Sequence, residues 1–198
     1  MLYFIGDTHF THPNILKYEP RRQDILGKTI EEHDVNLIQR INFRVKPEDT
    51  LIIVGDFGFG PTKILKEILD QIHGTKILVL GNHDKNSFNS YLTMGFSWVC
   101  YETKIKIARE YVRITHHPYR KPWFKVFFPW QYKERDRRKR PMDYGHFLIH
   151  GHIHSGGYGG RGAWKVKNRQ INVGVDVWDY YPVALFEIAN LIGKVKGC

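Results

Sequence analysis

Three short apolar runs, LYFIG (2–6), TLIIVGD (50–56) and KILVLGNHD (76–84), alternate with two segments of helical periodicity. No other feature constrains the fold as much. Runs this brief and this apolar are expected to be strands buried on both faces. Between the first two, Ile30, Leu37, Ile38, Ile41 and Val45 recur at helical spacing behind a capping box, Thr29-x-x-Glu32. Between the second and third, Pro61 stands near a helix start, Ile64, Leu65, Ile68, Leu69 and Ile72 share one face, and Gly74 is the stop. A β-α-β-α-β order requires parallel strands with helices packed outside them.

The second half changes character. WVCYE, KIKIA, YVRITHH, HFLIHGHIH, QINVGV and PVALFEI are expected to be strands, and few helices intervene. Such close spacing predicts an antiparallel or mixed second sheet. There is no internal repeat and no long linker, so residues 1–198 are expected to form a single α/β domain built on two sheets, with a basic and aromatic insertion at about 120–141.

Five of the apolar runs end in Asp, Asn or His. The first ends in Asp7-Thr8-His9, the second in Gly55-Asp56 and the third in Gly81-Asn82-His83-Asp84. YVRIT runs into His116-His117, and HFLIH into Gly151-His152-Ile153-His154. In open α/β sheets ligands bind at the carboxyl ends of strands. One Gly-Asp ending is an ordinary turn, but five such endings together are not explained as turns. Asp, His and Asn without thiolates suit Mn, Fe, Zn, Ni or Mg better than a Cys-based structural zinc. Two such ions would need a bridging carboxylate, and Asp56, central in the order, is the natural one.

In this order the motifs Asp7-x-His9, Gly55-Asp56, Gly81-Asn82-His83-Asp84, His116 and Gly151-His152-x-His154 resemble those of the calcineurin-like metallophosphoesterases. GDTHFTHPNI looks like their small phage and bacterial members. The resemblance implies a two-sheet β-sandwich flanked by helices (αββα), with a dinuclear metal site at the strand ends. It puts Asp7, His9 and His154 on one divalent ion, Asn82, His116 and His152 on the other, and Asp56 between them, with Mn as the expected metal. His83 is then a catalytic proton donor or a brace for the transition-state charge, Asp84 a support beside it, and a metal-bridging hydroxide the nucleophile. His150 is left over, expected to be buried and structural or to orient a ligand. His117 is expected to face away from the neighbouring ligand if the chain is extended there, as a structural or rim group. His12, Tyr119 and Arg120 are candidate substrate contacts, whereas His33, His73 and His146 are treated as ordinary.

Phe57-Gly58-Phe59-Gly60 after Asp56, and Asp84 at the end of the third block, depart from the Ser/Thr protein phosphatases and disfavour that substrate class. Of the net charge of +10, most falls between Arg120 and Pro141, where nine Lys or Arg face two carboxylates. Trp123, Phe124, Phe127, Phe128, Trp130 and Tyr132 interleave with those cations. Cations for phosphates and rings for bases are what a nucleic-acid or nucleotide groove needs, although the rings could equally pack the segment onto the body. A phosphodiesterase on nucleic acid or nucleotides is therefore expected, with a phosphomonoesterase on small esters as the alternative. A non-catalytic binding scaffold is less consistent with a full ligand set.

No segment has the ~20 apolar residues of a membrane span, and MLYFIGDTHF lacks the marks of a signal peptide. Cys100 and Cys198 form neither a framework nor a metal pair, which suits a reducing, cytoplasmic setting. The oligomeric state is not legible.

Overall fold

In the computed structural model, residues 1–120, 140–155 and 164–197 are described. The first sheet holds β1 (Leu2–Ile5), β2 (Thr50–Val54), β3 (Thr75–Val79) and β4 (Trp98–Cys100) in that parallel order. The second holds β5 (Glu102–Ile107), β6 (Glu110–Thr115), β7 (Phe147–His150), β8 (Val166–Lys167) and β9 (Gln170–Asn172), ordered β5-β6-β7-β9-β8. It is mixed: β6, β7 and β9 are parallel, and β5 and β8 are antiparallel edges. Val183–Ala184, β10, closes the free edge of β1 antiparallel.

Side-chain alternation explains why the first three runs are apolar throughout. Tyr3, Ile5, Leu51 and Ile53 face the helices, whereas Phe4, Ile52 and Val54 face the second sheet. The helical layer comprises α1 (Ile15–Tyr18), α2 (Arg21–Leu26), α3 (Ile30–Arg44), α4 (Thr62–Gln71) and α5 (Phe88–Met94). Its core residues Leu26, Leu37, Ile41, Leu65, Leu69, Tyr91 and Met94 pack on the first sheet. Between the sheets, Val112, Ile114, Ile149, Ile171 and Val173 meet Phe4, Ile52 and Val54. Two sheets flanked by helices are thus the observed α/β architecture.

The capping box at α3 is present: Glu32 N donates to Thr29 Oγ1 at 3.2 Å, and Thr29 N to Glu32 Oε2 at 3.3 Å. Two sequence expectations need correction. Ile64 stands outside the buried face of α4, with 43% of its surface exposed. PVALFEI is a strand only at Val183–Ala184, after which α6 (Leu185–Lys196) begins. Ala184 N donates to Glu187 Oε2 at 2.7 Å, tying off the helix N-terminus. Ile188 and Ile192, four residues apart, then enter the core between the sheets. The local cap and helical spacing override the strand propensity of Val and Phe. Cys100 is partly buried against that same core.

Residues 121–139, 156–163 and 198 lie outside the described residues, and with them most of the basic and aromatic insertion and Cys198. The ends of the insertion meet: Arg120 N donates to Pro141 O at 2.9 Å. Among the described residues no helix is long and apolar enough to cross a membrane.

Two substitutions check this packing. Ile41→Ala, at a fully buried position, should lower the unfolding free energy by roughly 2–5 kcal/mol in denaturant titration. Ile64→Ala should change it by about 0.5 kcal/mol or less, and equal losses would place the core face of α4 elsewhere.

Candidate metal centre

The segments that leave β1 and β2 do not part where the strands end. Asp7 N donates to Gly55 O at 3.1 Å, His9 N to Asp56 O at 3.0 Å and Phe10 N to Phe57 O at 3.0 Å. On the other side, Gly6 N donates to Val173 O at 2.9 Å and Val175 N to Gly6 O at 3.0 Å, joining the two sheets at this end. Gly55 turns with φ +82°, and a Cβ there would lie 2.3 Å from His116 Nδ1. A Cβ at Gly151 would lie 2.7 Å from Asp7 Oδ2. These glycines let backbone from both sheets close around the side chains of Asp7 and His116.

Two donor groups form. In one, Asp7, His9 and His154 each offer a ligand atom, all within 4.8 Å of one another. In the other, Asn82 Oδ1, His116 Nε2 and His152 Nδ1 form a triangle with sides of 3.0, 3.2 and 2.8 Å. Ligands bound at about 2.0–2.2 Å to one cation stand about 3 Å from each other. Asp56 lies between the groups, its Oδ2 3.4 Å from His116 Nε2 and 3.7 Å from His9 Nε2. His9 is 4% exposed, yet neither ring nitrogen has a hydrogen-bond partner among the described residues. Buried polar atoms left bare are costly, and a cation between His9 and its neighbours would relieve that cost. The donor set therefore fits divalent metal.

In the metal-free centre the electrostatics divide the histidines. Burial opposes charge on both Asp56 and His116, but their attraction prevails. Asp56 is held well below the usual carboxylate range, and His116 is lifted to about 9. Burial lowers His9 and His152, and a charge on His154 or His116 respectively lowers each further. Both are thereby kept neutral with lone pairs to offer. Asp7 is raised by burial and anchored by His152 N, which donates to both carboxylate oxygens at 2.9 Å.

The His150-His152-His154 comb is not a regular strand. β7 ends at His150, and His152 and His154 adopt left-handed backbone at φ 72° and 47°. The chain bends, so His152 joins one donor group and His154 the other. His150 is fully buried, its Nδ1 donates to Gly151 O at 2.8 Å, and burial lowers it to about 3. His117 does not face away: its ring stacks on His152 at 4.4 Å, and one of its nitrogens lies within 4.8 Å of ligand atoms of His116 and His152. β6 ends at Thr115, so strand alternation has lapsed by His117.

His83 lies beside both groups. Its N–H donates to Asp56 Oδ1 at 2.9 Å, and its ring is 5.0 Å from Phe59 and 5.8 Å from His9. Asp84 accepts from Gly81 N at 2.7 Å, Asp56 N at 2.8 Å and Phe57 N at 3.0 Å, holding two strand-end segments together. Burial and the Asp56 charge push its carboxyl up to about 6 despite those donors. His12 reaches the rim of the centre, 4.1 Å from Phe59 and 5.8 Å from His9 between ring centres. Tyr119 does not: it is buried, and its hydroxyl donates to His146 O at 2.9 Å. Arg120 is half-buried, and its backbone N donates to Pro141 O at 2.9 Å.

Sequence reasoning missed Asp176, whose Oδ2 lies 2.8 Å from His154 Nδ1, and Arg22, which donates to both Asp176 carboxylate oxygens. Asp176 carried a usable signal, because INVGVD (171–176) is a sixth apolar run ending in Asp, Asn or His. Arg22, in EPRRQDI, carried none.

The family model for calcineurin-like phosphoesterases matches residues 1–165. The chain belongs to the calcineurin-like phosphoesterase family. Its relatives include an uncharacterized protein of Methanocaldococcus jannaschii, 28% identical over 98% of this chain and 93% of that one. The Gene 66 protein of Mycobacterium phage L5 is 29% identical over 98% of this chain and 94% of its own. A protein of unknown function from Aquifex aeolicus superposes with a TM-score of 0.67 at 29% identity, covering 96% of this chain and 98% of the other. Small phage and prokaryotic proteins thus match this chain over nearly their whole length.

In this phosphoesterase an amide at position 84 could satisfy only two of the three N–H donors that Asp84 accepts. Asp84→Asn should therefore cost the metal-free protein roughly 1–3 kcal/mol in denaturant unfolding. Unchanged stability would show that the carboxylate does not hold the two segments together.

Proposed function

We infer that the protein is a dinuclear metal-dependent phosphodiesterase acting on nucleic acid or nucleotides. Membership of the family supports a metal-dependent phosphoesterase. The observation that supports the dinuclear part is Asp56 Oδ2 lying between His9 Nε2 and His116 Nε2, one from each donor group. Asp7, His9 and His154 would hold one ion, Asn82, His116 and His152 the other, and Asp56 would touch both. We take manganese as the metal, since the donors are nitrogen and oxygen without thiolate. Two such ions would neutralise phosphoryl oxygens, acidify a water for in-line attack and steady the leaving oxygen.

The chain's own groups do the rest. His83, outside the ligand clusters and exposed beside Phe59, would deliver a proton to the leaving oxygen. Asp84 keeps the Asp56 and Gly81 segments in register, and so fixes where His83 starts. His12 and Phe59 form the rim beside His83, where the rest of the substrate would lie. Phosphodiester polyanions suit a chain of net charge +10 whose cations crowd into 120–141, a segment that begins four residues after His116. The cysteine content suits a cytoplasmic setting.

Hydrolysis of bis-p-nitrophenyl phosphate and p-nitrophenyl phosphate by metal-stripped protein refilled with Mn²⁺ tests this directly. The diester should be preferred, and Asp56→Asn should abolish turnover. His83→Ala should retain the metal content of the wild type and lose roughly 10²–10⁴ in rate. Preference for the monoester would overturn the diesterase assignment, and metal loss in His83→Ala would overturn the role of His83.

A further inference from the structure

A buried cation stands directly behind one donor group. Arg22, fully buried on α2, donates from Nε to Asp176 Oδ1 at 2.7 Å and from Nη2 to Asp176 Oδ2 at 2.8 Å. The same guanidinium reaches Asp7 O at 2.8 Å and Thr8 O at 3.1 Å. Nη1 also lies 3.2 Å from His33 Nε2, while His33 Nδ1 lies 2.8 Å from Asp34 Oδ1. Arginine only donates, so His33 Nε2 accepts and its Nδ1–H goes to Asp34. Asp34 Oδ2 in turn accepts Thr11 N at 2.9 Å. Three backbone atoms of the 7–11 segment, which carries Asp7 and His9, are thus gripped by one buried network.

That network also reaches His154, whose Nδ1 lies 2.8 Å from Asp176 Oδ2. A carboxylate can only accept there, so His154 carries its proton on Nδ1 and keeps the Nε2 lone pair. The second donor group is held differently: His116 Nδ1 donates to a main-chain carbonyl, Val54 O, at 3.0 Å. The two groups therefore differ in their support, one resting on an ion pair and the other on backbone.

We propose that Arg22 and Asp176 are positioning residues that set metal affinity at the Asp7–His9–His154 group alone, Asp176 by fixing the tautomer and direction of His154, and Arg22 by holding Asp176 and the Asp7 and Thr8 carbonyls. This rests on the dinuclear reading above. Asp176→Glu keeps a carboxylate for Arg22 but displaces the oxygen that His154 meets, and Asp176→Asn removes the charge.

The test is Mn²⁺ binding to metal-free protein by calorimetry, with electron paramagnetic resonance reporting the coupled pair and thermal melting of the metal-free form confirming the fold. Wild type should take up two equivalents. Each variant should bind one of them about 10–100-fold more weakly, with the other unchanged and the coupled signal lost at limiting metal. Variants that bind both equivalents like wild type overturn the proposal, as do variants that lose both equally, which would mark the pair as merely structural. Wild type that binds fewer than two equivalents overturns the dinuclear reading beneath it. Independently of any variant, nitrogen NMR of the Zn²⁺-loaded wild type should find the His154 proton on Nδ1, and a proton on Nε2 overturns the proposal.

Discussion

The hydrogen-bonded ladder that continues past β1 and β2 is the constraint on which the centre depends. Strands usually release their chains at the carboxyl end, but here residues 7–10 and 55–57 stay paired through Asp7 N, His9 N and Phe10 N. The pairing places Asp7, His9 and Asp56 at fixed offsets while their backbones take left-handed conformations, with φ of 57°, 51° and 55°. Each such residue without glycine's freedom costs on the order of 1–2 kcal/mol. Five of the seven candidate ligands are held this way, His152 and His154 being the others. The strain turns consecutive side chains out of strand alternation, so that Asp7, His9 and Asp56 converge instead of dividing between the two faces of the sheet.

Convergence of carboxylates and imidazoles brings an electrostatic problem that the fold meets in two ways. On the His116 side, Asp56 and the imidazole neutralise each other. On the His154 side, Arg22 and Asp176 form a pair with almost no exposed surface. Removing one member of such a pair typically costs about 3–5 kcal/mol, because the other charge is left buried and unpaired. Such an ion pair adds little net stability by itself. Its geometric product is a rigid 7–11 segment and a single tautomer of His154.

Most of the architecture was legible because its signals are local. Buried parallel strands need unbroken apolar runs, α3 announces itself through Thr29 and Glu32, and the residues of the two candidate donor groups stand in motif order along the chain. What was not legible depends on tertiary contacts. PVALFEI reads as a strand until Glu187 is seen to reach Ala184 N and Arg44. His33 reads as an ordinary helix-face histidine until Arg22 and Asp34 meet it from either side. Tyr119, two residues beyond the His116-His117 pair, is turned toward His146 and Gln170 by its own backbone and hydroxyl. Arg22 is the extreme case, since nothing in EPRRQDI distinguishes the buried Arg22 from the exposed Arg21 beside it.

The central claim is that two cations share Asp56 between unlike donor groups. Anomalous diffraction from crystals of the Mn²⁺-loaded protein tests it most directly. The account predicts two peaks about 3.5–4 Å apart, one against Asp7, His9 and His154 and the other against Asn82, His116 and His152, with Asp56 in contact with both. A single peak, or a pair in which Asp56 touches only one ion, would contradict it.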